Sequence, residues 1–306
     1  MLIIGENIHI ISPRVKEAIE NWDKRFFQGL ALKQVKAGAG MLDLNIGPQK
    51  KRGVEIMEWL VDAIQEISDV PLSLDTTNAA AIEAGLKRCK GQAMINSISA
   101  EPARMEAMLP LVSRYNTKVV ALAMDPAGIP PTADGRVAIA METLLPKAQE
   151  AGVPMENVYL DPLVLTVKGT QEHAPETLNA IRIFKQLSDP PPMTVVGLSN
   201  VSNGVPPERR SLINRTFLVM LMAAGLDSAI ADPLDKKQME FIRIVEQRDT
   251  STGLGKLLVN LYDAVAAMEE LDPALVDMGD PEQVAVYKTV QILRNQTIYA
   301  DSYLRL

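Results

Sequence analysis

Short runs of β-branched and other apolar residues alternate along the chain with longer stretches whose apolar residues recur at helical spacing. Between two of the short runs, for example, Ile56, Leu60, Ala63 and Ile67 fall on one face of a helix. This alternation predicts parallel strands joined by right-handed helical crossovers. Eight of the short runs are predicted strands, at residues 2–8, 41–47, 71–77, 93–99, 118–125, 158–164, 193–200 and 227–233.

Eight strand–helix units are the number that closes into a (β/α)₈ TIM barrel, a fold of about 250 residues. The alternative is an open doubly wound sheet, which usually carries a glycine-rich phosphate loop, and neither G-x-G-x-x-G nor G-x-x-x-x-G-K-[ST] occurs here. We therefore predict one α/β domain over residues 1–306. Two helical segments within about 235–280 predict a helical extension after strand eight.

Every predicted strand carries polar residues near its carboxyl end. Asparagine and aspartate favour turns and helix N-caps, which could account for any one of them. In a barrel, however, these ends converge on one mouth, where the active sites of this fold lie. The sequence therefore predicts a polar site built from Glu6 with Asn7, Asp43 with Asn45, Asp75, Asn96, Asp125, Asp161, Ser199 with Asn200, and Asp232.

Composition narrows the classes of function. The net charge is −7 and no basic stripe is present, which argues against a nucleic-acid partner. The single cysteine, Cys89, excludes an internal disulfide and a cysteine-bound metal cluster, and its helical setting predicts an inert thiol. The sequence shows neither a signal peptide nor an apolar run of the ~18 residues that cross a membrane. We expect a cytoplasmic protein without a membrane partner.

The mouth is rich in aspartate and asparagine and poor in cations, which disfavours a phosphorylated substrate. Three aspartates could hold Mg²⁺, as in a metal-dependent lyase, but the chain has only two histidines and we predict no metal site. We interpret His9 as lying behind the pocket wall and His173 as loop surface. A flat heterocycle with several N–H donors and ring-nitrogen acceptors fits better, because carboxylates accept and amides both donate and accept.

Six segments together resemble the methyltetrahydrofolate–corrinoid protein methyltransferases. They are LDLNIG (42–47), LDTTNAAAIEAGLKRCK (74–90), AMINSIS (93–99), YLDPLVL (159–165), VVGLSNVS (195–202) and LINRTF (212–217). That family belongs to the pterin-binding superfamily, with dihydropteroate synthase and the folate domain of cobalamin-dependent methionine synthase. The resemblance covers residues 1–234 and resumes around 291–304.

The resemblance implies a homodimeric barrel that moves a methyl group by SN2 transfer. The methyl group passes between N5 of tetrahydrofolate and the cobalt of cobalamin, which a separate corrinoid protein carries. The resemblance also implies site residues: Asn200 beside N5 as the catalytic residue, Asp75, Asn96 and Asp161 on the pterin edge, Gly197 and Ser199 on the wall, Asp43 and Asn45 on the floor, and Arg210 near the folate. No general acid is evident, so the proton for N5 is expected from solvent or a bridging water.

Two alternatives stay open. A dihydropteroate synthase would use the same pocket, although its characteristic early loop and its later lysine and Ser-x-Arg positions are not evident here. A non-catalytic folate-binding protein could dock a corrinoid partner without alkylating cobalt. One site serves both directions of methyl transfer, so the sequence does not predict the physiological direction.

Overall fold

The computed structural model describes residues 1–305 and contains a closed barrel of eight parallel strands. Each strand pairs with the next along the chain, and the eighth pairs with the first, as in Leu2 opposite Ser228. The predicted (β/α)₈ fold is confirmed, and the alternative prediction of an open doubly wound sheet was wrong. The strands are β1 (Leu2–His9), β2 (Met41–Asn45), β3 (Leu72–Asp75), β4 (Met94–Ser99), β5 (Lys118–Leu122), β6 (Val158–Asp161), β7 (Met193–Gly197) and β8 (Ser228–Ala231).

Helices cover the outside of the barrel between successive strands. The segment after β5 is interrupted by a π-helical turn at Ala140–Leu144, and a 3₁₀ turn at Leu198–Ser202 follows β7. The helices up to the end of the barrel are α1 (Pro13–Glu20), α2 (Lys24–Lys36), α3 (Gly53–Gln65), α4 (Ala79–Arg88), α5 (Pro102–Tyr115), α6 (Ala133–Ile139), α7 (Leu145–Glu150), α8 (Val167–Thr170), α9 (His173–Phe184), α10 (Pro207–Ala223) and α11 (Lys236–Gln247).

The barrel interior changes from apolar to polar along its axis. Successive residues of a strand point to opposite faces, so Met41, Asp43 and Asn45 share the inner face of β2 while Leu42 and Leu44 pack outward under the helices. A separate cluster fills the end of the barrel away from the mouth, and it consists of Ile4, Met41, Met94, Val120, Tyr159 and Val195. The apolar plug supports the polar residues that follow it toward the mouth.

The chain continues past the barrel with α12 (Gly253–Ala266), a 3₁₀ turn at Pro273–Leu275 and α13 (Pro281–Leu293). α11 is the barrel's own eighth helix, so the added helices begin with α12. α12 packs against α10 and α11, and α13 packs against α10. Their apolar residues join the core around α10, so these helices widen one flank of the barrel.

None of the helices described within residues 1–305 combines the length and the apolar character needed to cross a membrane.

Candidate functional site

A cavity of about 320 Å³ opens at the carboxyl ends of the strands, within the range of small-molecule pockets. All eight strands contribute to its wall, either from the strand itself or from the turn that follows it. Of the nine site residues implied by the family resemblance, seven lie there together. The wall consists of Glu6, His9, Asp43, Asp75, Asn96, Ser97, Leu122, Asp161, Leu163, Gly197, Ser199, Asn200 and Ile230.

Two of the expected polar positions are apolar instead. β5 ends at Leu122, three residues before Asp125, whose carboxylate caps a turn by accepting from the Ala127 backbone N–H at 2.8 Å. On β8 the wall residue is Ile230, whereas Asp232 accepts a hydrogen bond from Asn7 at 2.9 Å. The expectation of polar side chains from Asp125 and Asp232 in the wall was wrong. Leu122 and Ile230 provide apolar surface suited to a flat ring.

Buried hydrogen bonds hold the carboxylate of Asp43 at the cavity floor. The Ser73 hydroxyl donates to Asp43 Oδ1 at 2.6 Å, and Asn96 Nδ2 donates to the same oxygen at 3.2 Å. Burial raises the pKa of Asp43 well above its usual range, and the neighbouring Asp75 carboxylate adds to the shift, while the two hydrogen bonds oppose it. The floor therefore holds its proton more tightly than an exposed aspartate would.

Asp75 ends β3 and has Asn45 behind it. Asn45 Nδ2 donates to Asp75 Oδ2, and the Gly47 backbone N–H donates to Asn45 Oδ1 at 3.1 Å. Burial raises the pKa of Asp75 to about 6, although the hydrogen bond from Asn45 and the positive charge of Arg104 oppose the shift. Asn45 therefore orients Asp75 and is not itself on the cavity wall.

Asp161 is fixed by the loop that follows β6. The Leu163 backbone N–H donates to Asp161 Oδ1 at 2.7 Å. Burial raises the pKa of Asp161 to about 7, despite that hydrogen bond and the positive charge of Arg136. A carboxyl group with this pKa changes its charge near neutral pH, so it can accept N–H donors from a ligand once it has lost its proton.

Arg136, fully buried, holds this loop in place. Its guanidinium donates to the carbonyls of Pro130 and Leu163, at 3.1 and 3.2 Å, and to the Thr177 hydroxyl at 2.9 Å. A second nitrogen lies 2.8 Å from His173 Nδ1. The interpretation of His173 as loop surface was wrong, because this residue is the partly buried first residue of α9 and contacts Arg136.

Asn200 lies on the exposed rim of the cavity, in the 3₁₀ turn after β7. Its Oδ1 accepts from Asn203 Nδ2 at 3.1 Å. Its Nδ2 donates to no other residue in the described part of the chain, which leaves a donor for a ligand. Gly197 lies directly beneath this side chain, since a Cβ atom at 197 would sit 3.0 Å from Asn200 Nδ2.

Glu6 lies in the wall, as the sequence predicted. His9 lies there too, so the interpretation of His9 as lying behind the wall was wrong. Residues three apart in a regular strand face opposite sides. The register between β1 and β2 shifts between Gly5 and Ile8, and such an irregularity lets both Glu6 and His9 face the cavity. Burial lowers the pKa of His9, whose Nδ1 accepts from the Ile11 backbone N–H at 3.1 Å.

The sequence predicted Glu6 at the mouth but did not indicate that it could act as an acid. Its Oε1 accepts from the Ser199 hydroxyl at 2.6 Å. Burial raises the pKa of Glu6 to about 7, the hydrogen bond from Ser199 opposes the shift, and the negative charge of Asp232 adds to it. The cavity thus contains a carboxyl group able to carry a proton at neutral pH, next to the turn that carries Asn200.

Arg210 lies outside the cavity wall. Its side chain is exposed, and its Nε donates to the Val205 carbonyl at 2.7 Å. Cys89 is the C-cap residue that directly follows α4. Burial raises the pKa of its thiol to about 12, which fits the expectation of an inert group. Within residues 1–305, no cluster of three or more His, Cys, Asp or Glu side chains is arranged to hold a metal ion.

Comparison with known proteins identifies the family. The family model described as pterin binding enzyme matches residues 17–232, which is most of the barrel. The chain belongs to the pterin-binding enzymes. The residues that line the mouth of this pterin-binding enzyme, from Glu6 to Asn200, lie largely inside the matched range.

Two curated relatives cover most of this pterin-binding enzyme. The chain is 31% identical over 242 residues to the methylcorrinoid:tetrahydrofolate methyltransferase of Eubacterium limosum, covering 78% of this chain and 88% of that protein. It is 29% identical over 299 residues to the methionine synthase of Mycobacterium tuberculosis, covering 91% of this chain but 25% of that much longer protein. The match to the first relative therefore spans most of both proteins.

Solved structures of the same architecture include two dihydropteroate synthases. The enzyme from Coxiella burnetii, in complex with pteroic acid, superposes with a TM-score of 0.60 at 18% identity, covering 81% of this chain and 94% of that chain. The enzyme from Thermus thermophilus gives a TM-score of 0.56 at 21% identity, covering 80% of this chain and 93% of that chain. At these identities the likeness concerns the fold alone.

Proposed function

We propose that this pterin-binding enzyme transfers a methyl group between N5 of tetrahydrofolate and the cobalt of cobalamin carried by a separate corrinoid protein. The observation that carries the proposal is the convergence of Asp75, Asn96, Asp161 and Asn200 on one cavity at the barrel mouth. The relative from Eubacterium limosum, whose name describes this chemistry, supports it over most of both chains.

The cavity chemistry supports a pterin ligand. The amino-pyrimidinone edge of a pterin presents adjacent N–H groups, which a carboxylate accepts as a pair. We assign this edge to Asp161 and Asp75, and the ring nitrogens and carbonyl to Asn96. Leu122 and Ile230 would contact the ring faces. A site of this kind rejects analogues that lack the matching groups, because its buried polar atoms would go unpaired.

Asn200 is the residue we assign to N5. In the SN2 step, the cobalt(I) electron pair forms the Co–C bond while N5 keeps the electron pair of the breaking C–N bond and gains a proton. N5 leaves readily only when it gains positive character. An amide can donate to or accept from that nitrogen as its charge changes, and a bond that strengthens in the transition state accelerates the step.

Three further assignments belong to the same proposal. Ser199 and Gly197 form the wall that carries Asn200, and Asp43 with Asn45 supports the floor. For Arg210 to contact the folate, its guanidinium would have to leave the Val205 carbonyl. The corrinoid protein is the partner, and we propose a homodimer, which sedimentation velocity of the purified chain would test.

The proposed function is tested by mixing the enzyme with methyltetrahydrofolate and cob(I)alamin and recording the absorption spectrum. We expect the cob(I)alamin band to be replaced by that of methylcobalamin. Folate binding without any methylcobalamin would favour the non-catalytic folate-binding protein instead. Product formation from p-aminobenzoate and the pterin pyrophosphate, with no methylcobalamin, would favour a dihydropteroate synthase.

Folate affinity should depend on pH through the two acceptor carboxylates. The pKa values of about 7 for Asp161 and about 6 for Asp75 mean that both are ionised above pH 8 and both protonated below pH 5. A ligand that requires both carboxylates must displace two protons at low pH, so affinity should fall by about 1000-fold between pH 8 and pH 5. Calorimetric titration across this range checks the slope, and a flat profile would contradict the assignment.

Gly197→Ala should slow methyl transfer without destabilising the barrel. The new Cβ would lie 3.0 Å from Asn200 Nδ2, so the amide must shift by a few tenths of an ångström. A displacement of this size at a reacting centre lowers the rate by about tenfold. The matched control is Gly29→Ala in α2, where a Cβ meets nothing within 4 Å. Equal rates for the two variants would show that Asn200 needs no close positioning.

A further inference from the structure

When the methyl group leaves methyltetrahydrofolate, N5 gains a proton. The cavity contains a carboxyl group, Glu6, to which the proposed function assigns no role. Glu6 lies on the same wall as Asn200 and accepts from the hydroxyl of Ser199, the residue immediately before Asn200. Ser199 Oγ also lies 3.5 Å from Asn214 Nδ2, so the hydroxyl is held between two side chains. This arrangement connects an acid group to the residue assigned to N5.

We propose that Glu6 supplies the proton that N5 gains when the methyl group leaves tetrahydrofolate, with the Ser199 hydroxyl as the link between them. This inference rests on the proposed function. In that step the C–N5 bond breaks and the Co–C bond forms. The Ser199 hydroxyl, which donates to Glu6 in the structure, turns to donate its proton to N5 and takes the Glu6 proton in exchange, so the Glu6 carboxyl becomes a carboxylate and N5 becomes an N–H. In the opposite direction the N5 proton returns to Glu6, and solvent restores its protonation between turnovers.

The other carboxyl groups of the cavity are committed elsewhere. Asp43 is fixed at the floor by Ser73 and Asn96. Asp75 and Asp161 face Arg104 and Arg136, whose charges favour their ionised forms, and both must be ionised to accept pterin N–H groups.

Glu6 differs from these groups in its surroundings. The negative charge of Asp232, beyond β8, faces Glu6 and favours its protonated form. Asp43 on β2 is also an acid, and Glu6 adds to the rise in its pKa. His9, the remaining titratable group of the wall, has a lowered pKa and is neutral at pH 7. Asp43 also keeps its proton, but its carboxyl group is bonded to Ser73 and Asn96 at the floor. Glu6 is the protonated group that bonds to the turn carrying Asn200.

In this proposal Glu6 acts on N5 through Ser199 and does not touch it. The test must therefore separate proton supply from a structural role. Single-turnover methyl transfer to cob(I)alamin is followed from pH 5.5 to 8.5 for wild type and Glu6→Gln, which keeps an acceptor for Ser199. We expect a rate at least tenfold lower at pH 7 with folate affinity within threefold of wild type. The wild-type rate should fall as pH rises past about 7, and Glu6→Gln should lose this dependence.

Three further variants sharpen the result. Glu6→Asp keeps a titratable carboxyl and should retain the pH-dependent fall. Asp232→Asn removes a negative charge facing Glu6 and should move the fall to lower pH. Glu6→Gln combined with Ser199→Ala should be no slower than the slower single variant, because both would interrupt one link. Circular dichroism establishes that each variant is folded.

The outcomes distinguish this inference from the proposed function. If wild type forms no methylcobalamin, the proposed function fails and the role of Glu6 fails with it. If wild type is active and Glu6→Gln keeps the wild-type rate and pH dependence, only the role of Glu6 is overturned. Equal losses of rate and folate affinity in Glu6→Gln would also overturn it, since they would mark a structural contact.

Discussion

Asp161→Ala is expected to lower the affinity for tetrahydrofolate by at least about 100-fold. A hydrogen bond to a charged group contributes about 1.5–3 kcal/mol, and two such bonds from the pterin edge account for a loss of this size. The substitution also frees the Leu163 backbone N–H, which now donates to Asp161 at 2.7 Å. Equilibrium binding measured by calorimetry at pH 8, where the wild-type carboxylate is ionised, gives the effect without interference from protonation.

A matched control for this experiment exists at the end of another strand. Asp125 follows β5 as Asp161 ends β6, but its carboxylate caps a surface turn outside the cavity. Asp125→Ala should leave folate affinity within about twofold of wild type. Asp161→Asn should fall between the two, because it keeps the acceptor for Leu163 and loses the charge. Normal affinity in Asp161→Ala would end the assignment of the pterin edge.

Asn200→Ala is expected to slow methyl transfer by about 100- to 1000-fold, the usual cost of removing one donor aimed at transition-state charge. Folate affinity should change by less than about fivefold, because the bond to N5 strengthens mainly as the C–N bond breaks. Single-turnover rates at saturating methyltetrahydrofolate measure the first effect, and calorimetry measures the second.

Asn203→Ala provides the comparison for Asn200→Ala. Asn203 donates to Asn200 Oδ1 at 3.1 Å and orients the amide without lining the cavity. We expect a loss of less than about tenfold in this variant. An unchanged rate in Asn200→Ala would contradict the assigned role, and a larger loss in Asn203→Ala than in Asn200→Ala would move that role to Asn203.

The sequence predicted the barrel and much of its mouth because strand periodicity is regular. Along β2 the inner face takes every second residue, so Met41 and Asp43 could be assigned to the interior from alternation alone. Asp75 and Asp161 are the last residues of their strands, where the barrel fold places functional groups. For these residues, strand alternation and position at a strand end were enough to predict that they face the barrel interior or its mouth.

Errors arose where the backbone departs from that regularity or where a neighbour from another strand decides the outcome. A register shift in β1 brought His9 to the wall, and the early end of β5 took Asp125 away from it. Asn45 faces the mouth but stands behind Asp75. Glu6 became a candidate acid because burial raises its pKa, with a contribution from Asp232, and because Ser199 bonds to it; both residues lie more than 190 positions away in the sequence.

Six apolar side chains fill the end of the barrel away from the mouth, so the cavity is closed at that end. A ligand in the mouth can go no deeper than these side chains. Under the proposed function, the benzoyl-glutamate tail of the folate would leave the barrel through the same opening by which the ring enters. The cobalt of the proposed corrinoid partner would approach through that opening too. Loading of the folate should therefore precede arrival of the corrinoid protein, and the number of glutamates on the tail should matter little to the ring inside.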